Sequence, residues 1–300
     1  MNEIGQLTDQ RRYGVGELYG YDFSRLSPNE IQRLSSVSNK DQDCPFRGKK
    51  CKKPRGICTL RVYESRPEIG VTNDPLVTVC PERFKEENII NKWVAETLLG
   101  TDDPTVVSEV NFLSGKAAEL DEEGKPVGRI DTILLRRDTS PLMWCAVELQ
   151  AVYFSGEGMK SQFSIFNEWQ GPGIPFPDKV RRPDFRSSGP KRLMPQLQTK
   201  VPTLRRWGKK MAVVTDRSFF ENMGAMEEVN DVSNCDIVWF VLDHEKTEQG
   251  FRLVPFSKHY ITLERAIEGL IAGQPVSLVE FERRISVKLS AQPSKKDRAR

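Results

Sequence analysis

Apolar residues in this chain gather in short runs between charged, Pro-rich and Gly-rich stretches, and the spacing within each run predicts an element. Thr105–Leu113 reads as a strand. So do Gly128-Arg129-Ile130-Asp131-Thr132-Ile133-Leu134-Leu135 and Val147-Glu148-Leu149-Gln150-Ala151-Val152, with a charged hairpin loop at 121–126 ahead of them. Met211–Asp216 and residues 235–242 are continuous apolar runs of the kind found in strands buried on both faces. Helical spacing appears after Ser27-Pro28, with Ser27 as N-cap. It returns from Pro81 to Gly100, where Phe84, Ile89, Ile90, Trp93, Val94 and Leu98 recur on one side. Residues 160–170 and 261–271 read as further helices, 171–177 as loop, and 181–192 as a basic, turn-rich segment. The order predicts a three-layer α/β/α core with a mixed sheet over 81–290. A small N-terminal segment, 1–80, precedes it, and a basic disordered tail, 291–300, follows.

Two of the predicted strands each carry a carboxylate among Ile, Leu, Val and Ala: Asp131 on the first, Glu148 on the second. A buried sheet cannot hold an unpaired carboxylate without cost, so both acids call for a cation. Side chains alternate along a strand, which puts Glu148 and Gln150 on one face, and a hairpin can bring Asp131 beside them. Two carboxylates on adjacent strands, completed by water, form a hard-oxygen site suited to Mg²⁺ and phosphodiester hydrolysis. The plainer reading makes both strand-end acids, facing solvent or an arginine such as Arg129. Glu109 on the preceding strand and Glu96 on the preceding helix compete as an auxiliary acid, Glu96 from what its spacing from Ile89 and Trp93 predicts to be the buried side of the helix.

Six cysteines divide into two sets. Cys145 and Cys235 sit in apolar runs as small core residues. Cys44, Cys51, Cys58 and Cys80 lie among Pro, Gly and Lys, where no regular element is expected to bury them. The first ten residues are polar and no stretch is apolar enough to span a bilayer, which points to a reducing, cytoplasmic setting and favours metal over disulfides. Four thiolates suit tetrahedral zinc or iron in a structural role, and Lys49, Lys50, Lys52, Lys53 and Arg55 are expected to lower the thiol pKa values. No CxxC knuckle is present, so four unrelated cysteines remain an alternative.

An Asp at the start of one strand followed by Glu-x-Lys on the next is the pattern of the PD-(D/E)xK nuclease superfamily, which the Asp131 and Glu148 segments resemble. The lysine position holds Gln150. A Glu-x-Gln ending together with four upstream cysteines resembles restriction endonucleases of the NotI and EagI kind, over residues 40–155. That resemblance implies a restriction-endonuclease-like core and a single structural iron on Cys44, Cys51, Cys58 and Cys80. The spacing itself does not choose between iron and zinc. It further implies Mg²⁺ on Asp131 and Glu148, Gln150 orienting water or a phosphate oxygen, an auxiliary acid at Glu109, and a GC-rich palindromic target.

Charged residues make up 29% of the chain and the formal net charge is only +3, so the distribution of charge matters more than its sum. Basic clusters at 49–55, 179–186, 191–192 and 205–210 fit loops that follow a nucleic-acid backbone, with Arg181, Arg182 and Arg186 as DNA contacts. The two histidines, His244 and His259, are isolated, which argues against a His-dependent metal nuclease and against a cysteine nucleophile with a His partner. The expectation is a Type II restriction endonuclease, Mg²⁺-dependent, acting as a homodimer on duplex DNA. The alternatives are a non-catalytic DNA-binding protein with a four-cysteine metal module, or another metal-dependent DNA nuclease.

Overall fold

The computed structural model describes residues 10–65, 69–113, 128–154, 156–271, 273 and 276–290. The expected hairpin loop at 121–126 and tail at 291–300 lie outside them.

The first seventy described residues form strands that the apolar spacing did not reveal. β1 (Gln10–Leu18) pairs antiparallel with β5 (Ile57–Ser65), and β2 (Tyr21–Asp22), β6 (Ile69–Val71) and β7 (Val77–Thr78) complete a five-stranded sheet. β3 (Asp43–Cys44) and β4 (Lys49–Lys50) make a separate small hairpin. Between β2 and β3 runs α1 (Pro28–Ser36), opened as expected by Ser27. The Ser27 side chain accepts from the Glu30 amide while the Glu30 carboxylate accepts from the Ser27 amide, so two orphan donors are satisfied reciprocally.

From Pro81 the chain makes a tight helical stretch that breaks at Glu87 and Asn88, both with positive φ, before α2 (Ile89–Leu99) begins. One continuous helix from Pro81 was expected; the break places the Glu86 carboxylate against Arg83 instead. A six-stranded mixed sheet follows in the order β13-β12-β11-β10-β9-β8. Its strands are β8 (Thr105–Leu113), β9 (Gly128–Arg136), β10 (Met143–Leu149), β11 (Met211–Asp216), β12 (Ile237–Lys246) and β13 (Phe251–Ile261). β10, β11 and β12 run parallel, and the outer pairs are antiparallel. The long connection from β10 to β11 carries α3 (Lys160–Glu168), α4 (Phe185–Ser188) and α5 (Met194–Arg206). After β11 come α6 (Arg217–Glu221), α7 (Leu263–Ile271) and α8 (Leu278–Ser290), the last with no buried residue.

Strand alternation sorts the sheet's side chains onto two faces. Cys145, Val147, Ala212, Val214, Val238 and Phe240 pack with Ile90, Val94, Ala95 and Leu99 of α2. Ala146, Met211, Val213, Ile237 and Trp239 pack with Leu197, Val201 and Leu204 of α5 and Ala266 and Leu270 of α7. Helices therefore cover both faces. The second cluster does not stop at the sheet. It continues without a gap into Val15, Leu18, Phe23, Ile31, Leu60 and Val77 of the N-terminal region.

Polar contacts join the same two regions. Val152 donates its amide to the Thr78 carbonyl at 2.8 Å, and the Asp216 carboxylate accepts from the Thr78 amide. Arg83, with no exposed surface, donates to Glu17 at 2.9 Å and to the Phe251 carbonyl at 3.0 Å. It also pairs with Glu86 at 2.8 Å and lies over the Phe46 ring.

Candidate active site

The pairing register assembles the acids. β9 and β10 set Ile133 opposite Ala146 and Thr132 opposite Val147, and one further step sets Asp131 opposite Glu148. β8 and β9 set Ser108 opposite Thr132 and Val110 opposite Ile130, which leaves Glu109 opposite Asp131. Opposed residues on antiparallel strands share a face, so Glu109, Asp131 and Glu148 form a row across three neighbouring strands. Glu109 sits at φ 61° inside a strand, a left-handed conformation that costs a non-glycine residue about 1–2 kcal/mol. Such strain persists where the surroundings hold it, and functional sites are where it concentrates.

The protein places its own cations on this row. Arg129, two residues before Asp131 on the same face, lies 3.4 Å from the Glu109 carboxylate and 3.6 Å from that of Asp131. Glu148 is nearly enclosed and accepts from Lys200 Nζ at 2.7 Å; the Lys200 side chain is equally enclosed. Lys200 also donates to Gln196 Oε1 at 2.8 Å. The Gln196 side chain hydrogen-bonds Glu148 as well, so both α5 residues hold this carboxylate. Burial pushes the Glu148 carboxyl up, Lys200 and Gln196 draw it down, and the nearby Asp131 charge pushes it up again.

Three sequence expectations change here. Asp131 was expected to be buried and is 54% exposed, because the helix layer on its face reaches Glu148 but leaves Asp131 at its margin. Gln150 lies just past the end of β10. Its side-chain amide is buried and donates to the neighbouring Ala151 carbonyl at 2.6 Å. Glu96 is exposed on α2, which packs on the opposite face of the sheet, so the structure groups Glu109 with the acids and leaves Glu96 apart. The sequence reading missed Lys200 and Gln196 altogether.

Cys44, Cys51, Cys58 and Cys80 are all buried, contrary to their Pro- and Gly-rich surroundings, since β3 and β5 and the turns beside them fold inward. Their thiols lie in mutual electrostatic reach: Cys51 feels Cys44, Cys58 feels Cys80, and Cys80 feels Cys51 and Cys44. The neighbouring bases were expected to lower the thiol pKa values. Burial instead pushes those of Cys51, Cys58 and Cys80 up, outweighing the pull of nearby cations; Lys49, Lys50 and Lys52 are exposed, while Lys53 is tucked against the thiols. Four thiols from four chain positions fit a soft or borderline metal. Hard Mg²⁺ suits carboxylate oxygens such as those of Asp131 and Glu148, close enough for the Asp131 charge to act on Glu148. As the side chains stand, with thiols donating to the Lys53 and Gly56 carbonyls and carboxylates on Arg129 and Lys200, no group of three or more His, Cys, Asp or Glu among the described residues is gathered to hold a metal ion. Cys145 and Cys235 are core residues as expected, the Cys145 thiol pushed up to about 12 by burial.

The basic loop is divided. Arg181 is committed to Asp178 at 2.6 Å, to the Gly158 carbonyl at 2.7 Å and to Ser161, while Arg182 and Arg186 are exposed. Arg182 lines a cleft of about 370 Å³ with Arg11, Arg12 and Asn222. His259 is stacked on Phe220 and bonded to Glu228 and Ser257, and burial holds His244 well below the ordinary histidine range. Neither reaches the acids through any hydrogen bond. Among the described residues no helix is long and apolar enough to cross a membrane.

Residues 31–254 match the family described as restriction endonuclease NotI, a span that takes in the four cysteines, the acid row and α5. The chain belongs to the NotI restriction endonuclease family. No curated protein sequence matches it. Membership in the NotI family makes the chain a nuclease of a restriction system, a hydrolase that binds and cuts double-stranded DNA. It also separates the enzyme reading from the purely DNA-binding one. The NotI match runs on through Lys200 and past β12, well beyond the 40–155 segment whose residues first carried the resemblance.

Proposed function

We propose that the chain is a Type II restriction endonuclease that hydrolyses duplex DNA at a specific, GC-rich palindromic site, with Asp131 and Glu148 as its Mg²⁺ ligands. One observation carries the reading: the strand register lines up Glu109, Asp131 and Glu148 on one face inside the family-matched span. Bound there, Mg²⁺ supplies charge stabilisation at the phosphate and lowers the pKa of water. Glu109 is the auxiliary acid, and Arg129 orients it and Asp131 along the row. Gln150, locked on the Ala151 carbonyl, fixes the chain's exit from β10 in this structure; on DNA binding its amide orients water or a phosphate oxygen. The helices on both faces of the mixed sheet supply the layering of a restriction-endonuclease-like core. Arg182 and Arg186 contact the DNA backbone, with Arg181 bracing their loop against Asp178. A homodimer matches a palindrome, since a two-fold axis offers one acid row to each strand.

Purified protein with Mg²⁺ is expected to cut a set of plasmids into discrete fragments with mappable ends, and to leave them intact with EDTA. A smear, or cutting that ignores EDTA, would count against the reading. The four buried cysteines are proposed to hold one structural iron, with zinc as the alternative. Elemental analysis of protein purified in reducing buffer is expected to give about one transition-metal ion per chain. Thiolate-to-iron charge-transfer absorbance is expected if that ion is iron. A metal-free, folded and active protein would remove the assignment.

A further inference from the structure

The strand motif of this chain places an amide, Gln150, where the superfamily it resembles places a cation, and one N–H of that amide is held by the Ala151 carbonyl. A cation nevertheless stands in the site. Lys200 comes from the buried side of α5, together with Leu197, Val201 and Leu204, and its ammonium rests on Glu148. A lysine on the packing face of a helix is costly. A buried ion pair adds little or nothing to stability compared with apolar residues of similar volume, so packing alone gives no reason for Lys200 and Glu148 to face each other there. An ammonium carries three N–H donors. Glu148 takes one and Gln196 takes a second, which leaves one without a partner among the described residues.

We propose that Lys200 is a catalytic residue of this endonuclease: delivered from α5 in place of the strand-borne lysine, it holds Glu148 and presents its remaining N–H to a non-bridging oxygen of the scissile phosphate. The inference rests on the acid row being the active site. It explains how a Glu-x-Gln strand retains a positive charge beside its carboxylates, and it gives Gln196 the task of fixing the ammonium's direction. A preorganised donor aimed at a phosphate oxygen acts where charge builds up during the reaction.

The test uses the full chain on its mapped site, with Asp131→Asn as reference. Lys200→Met, and Lys200→Gln should the first variant fold poorly in thermal melts, are expected to lower the single-turnover rate at saturating Mg²⁺ by about 100-fold. Binding is measured with no divalent ion added, on DNA carrying either the natural phosphate or a methylphosphonate at the cleavage position. Removing that oxygen's charge is expected to weaken wild-type binding about tenfold and to leave the Lys200 variants nearly unaffected. A lysine that merely neutralised Glu148 would show no such coupling. Rates within threefold of wild type, roughly 0.65 kcal/mol, or equal methylphosphonate losses in wild type and variants, would overturn the proposal. If Asp131→Asn itself cleaved normally, the placement of the active site would fall first; if it were dead and the Lys200 variants cut normally, only this inference would.

Discussion

Asp131→Asn is expected to lower single-turnover cleavage at saturating Mg²⁺ by at least about 10³-fold, the scale seen when a preorganised electrostatic group is lost from a reacting centre. The same substitution is expected to leave the fold unchanged. Asp131 is more than half exposed, its ion pair with Arg129 is long at 3.6 Å, and pairs of that kind contribute about 0–1 kcal/mol. Activity and stability therefore separate at this residue. Glu148 is different. Removing its carboxylate leaves the Lys200 ammonium buried without its partner, a cost of about 3–5 kcal/mol, so an inactive Glu148→Ala confounds chemistry with folding. Glu148→Gln, which still accepts from Lys200, is the informative change there. Wild-type turnover by Asp131→Asn, with circular dichroism and melting unchanged, would remove the acid row from the mechanism.

Arg83→Met is expected to cost about 3–5 kcal/mol, lowering the melting midpoint by about 10 °C. Its guanidinium is the cation facing Glu17, which is fully buried and whose carboxyl burial already pushes up. Without Arg83 the carboxyl rises further, and the folded state then holds a proton that the unfolded state releases. Acid consequently strengthens this variant relative to wild type, and the deficit is expected to shrink as pH falls toward the ordinary glutamate range and to be largest at neutral pH and above. Glu17→Gln in the Arg83→Met background is expected to recover part of the loss at neutral pH and to flatten the pH dependence. A melt that ignores both substitutions would show that the cluster is not what joins Glu17 of β1, Arg83 and the β13 backbone.

Asp131 and Glu148 were legible because a carboxylate inside an apolar run is anomalous wherever it occurs, and the short connection between their strands leaves few registers. Glu109 was legible only as a position; the register, which sequence does not reveal, groups it with Asp131 and Glu148, while helical spacing had pointed the exposed Glu96 inward. Lys200 was hidden for two reasons. Pro195 at the start of α5 and Pro202 inside it mask the helix, and the partner of Lys200 lies 52 residues away, out of reach of any local pattern. The N-terminal sheet was hidden because β1 and β5 obtain their burial from one another and from the larger sheet, while Gly14, Gly16 and two arginines interrupt the alternation of β1. The cysteines were legible as a set, but their burial was not, since it comes from the tertiary fold of turns that look solvated in sequence.

Among the described residues, the core shared by the N-terminal strands and the α5 face of the large sheet runs across the chain at Pro81 rather than parting there. Val77, Leu60 and Phe23 lie in the same apolar cluster as Val213 and Leu197. A fragment beginning at Pro81 would present that surface to water and aggregate, and a cysteine segment grafted onto another nuclease would arrive without the wall it leans on. A chimera with another nuclease is therefore expected to fold only when both parts are exchanged together, because each supplies a wall of the other's core.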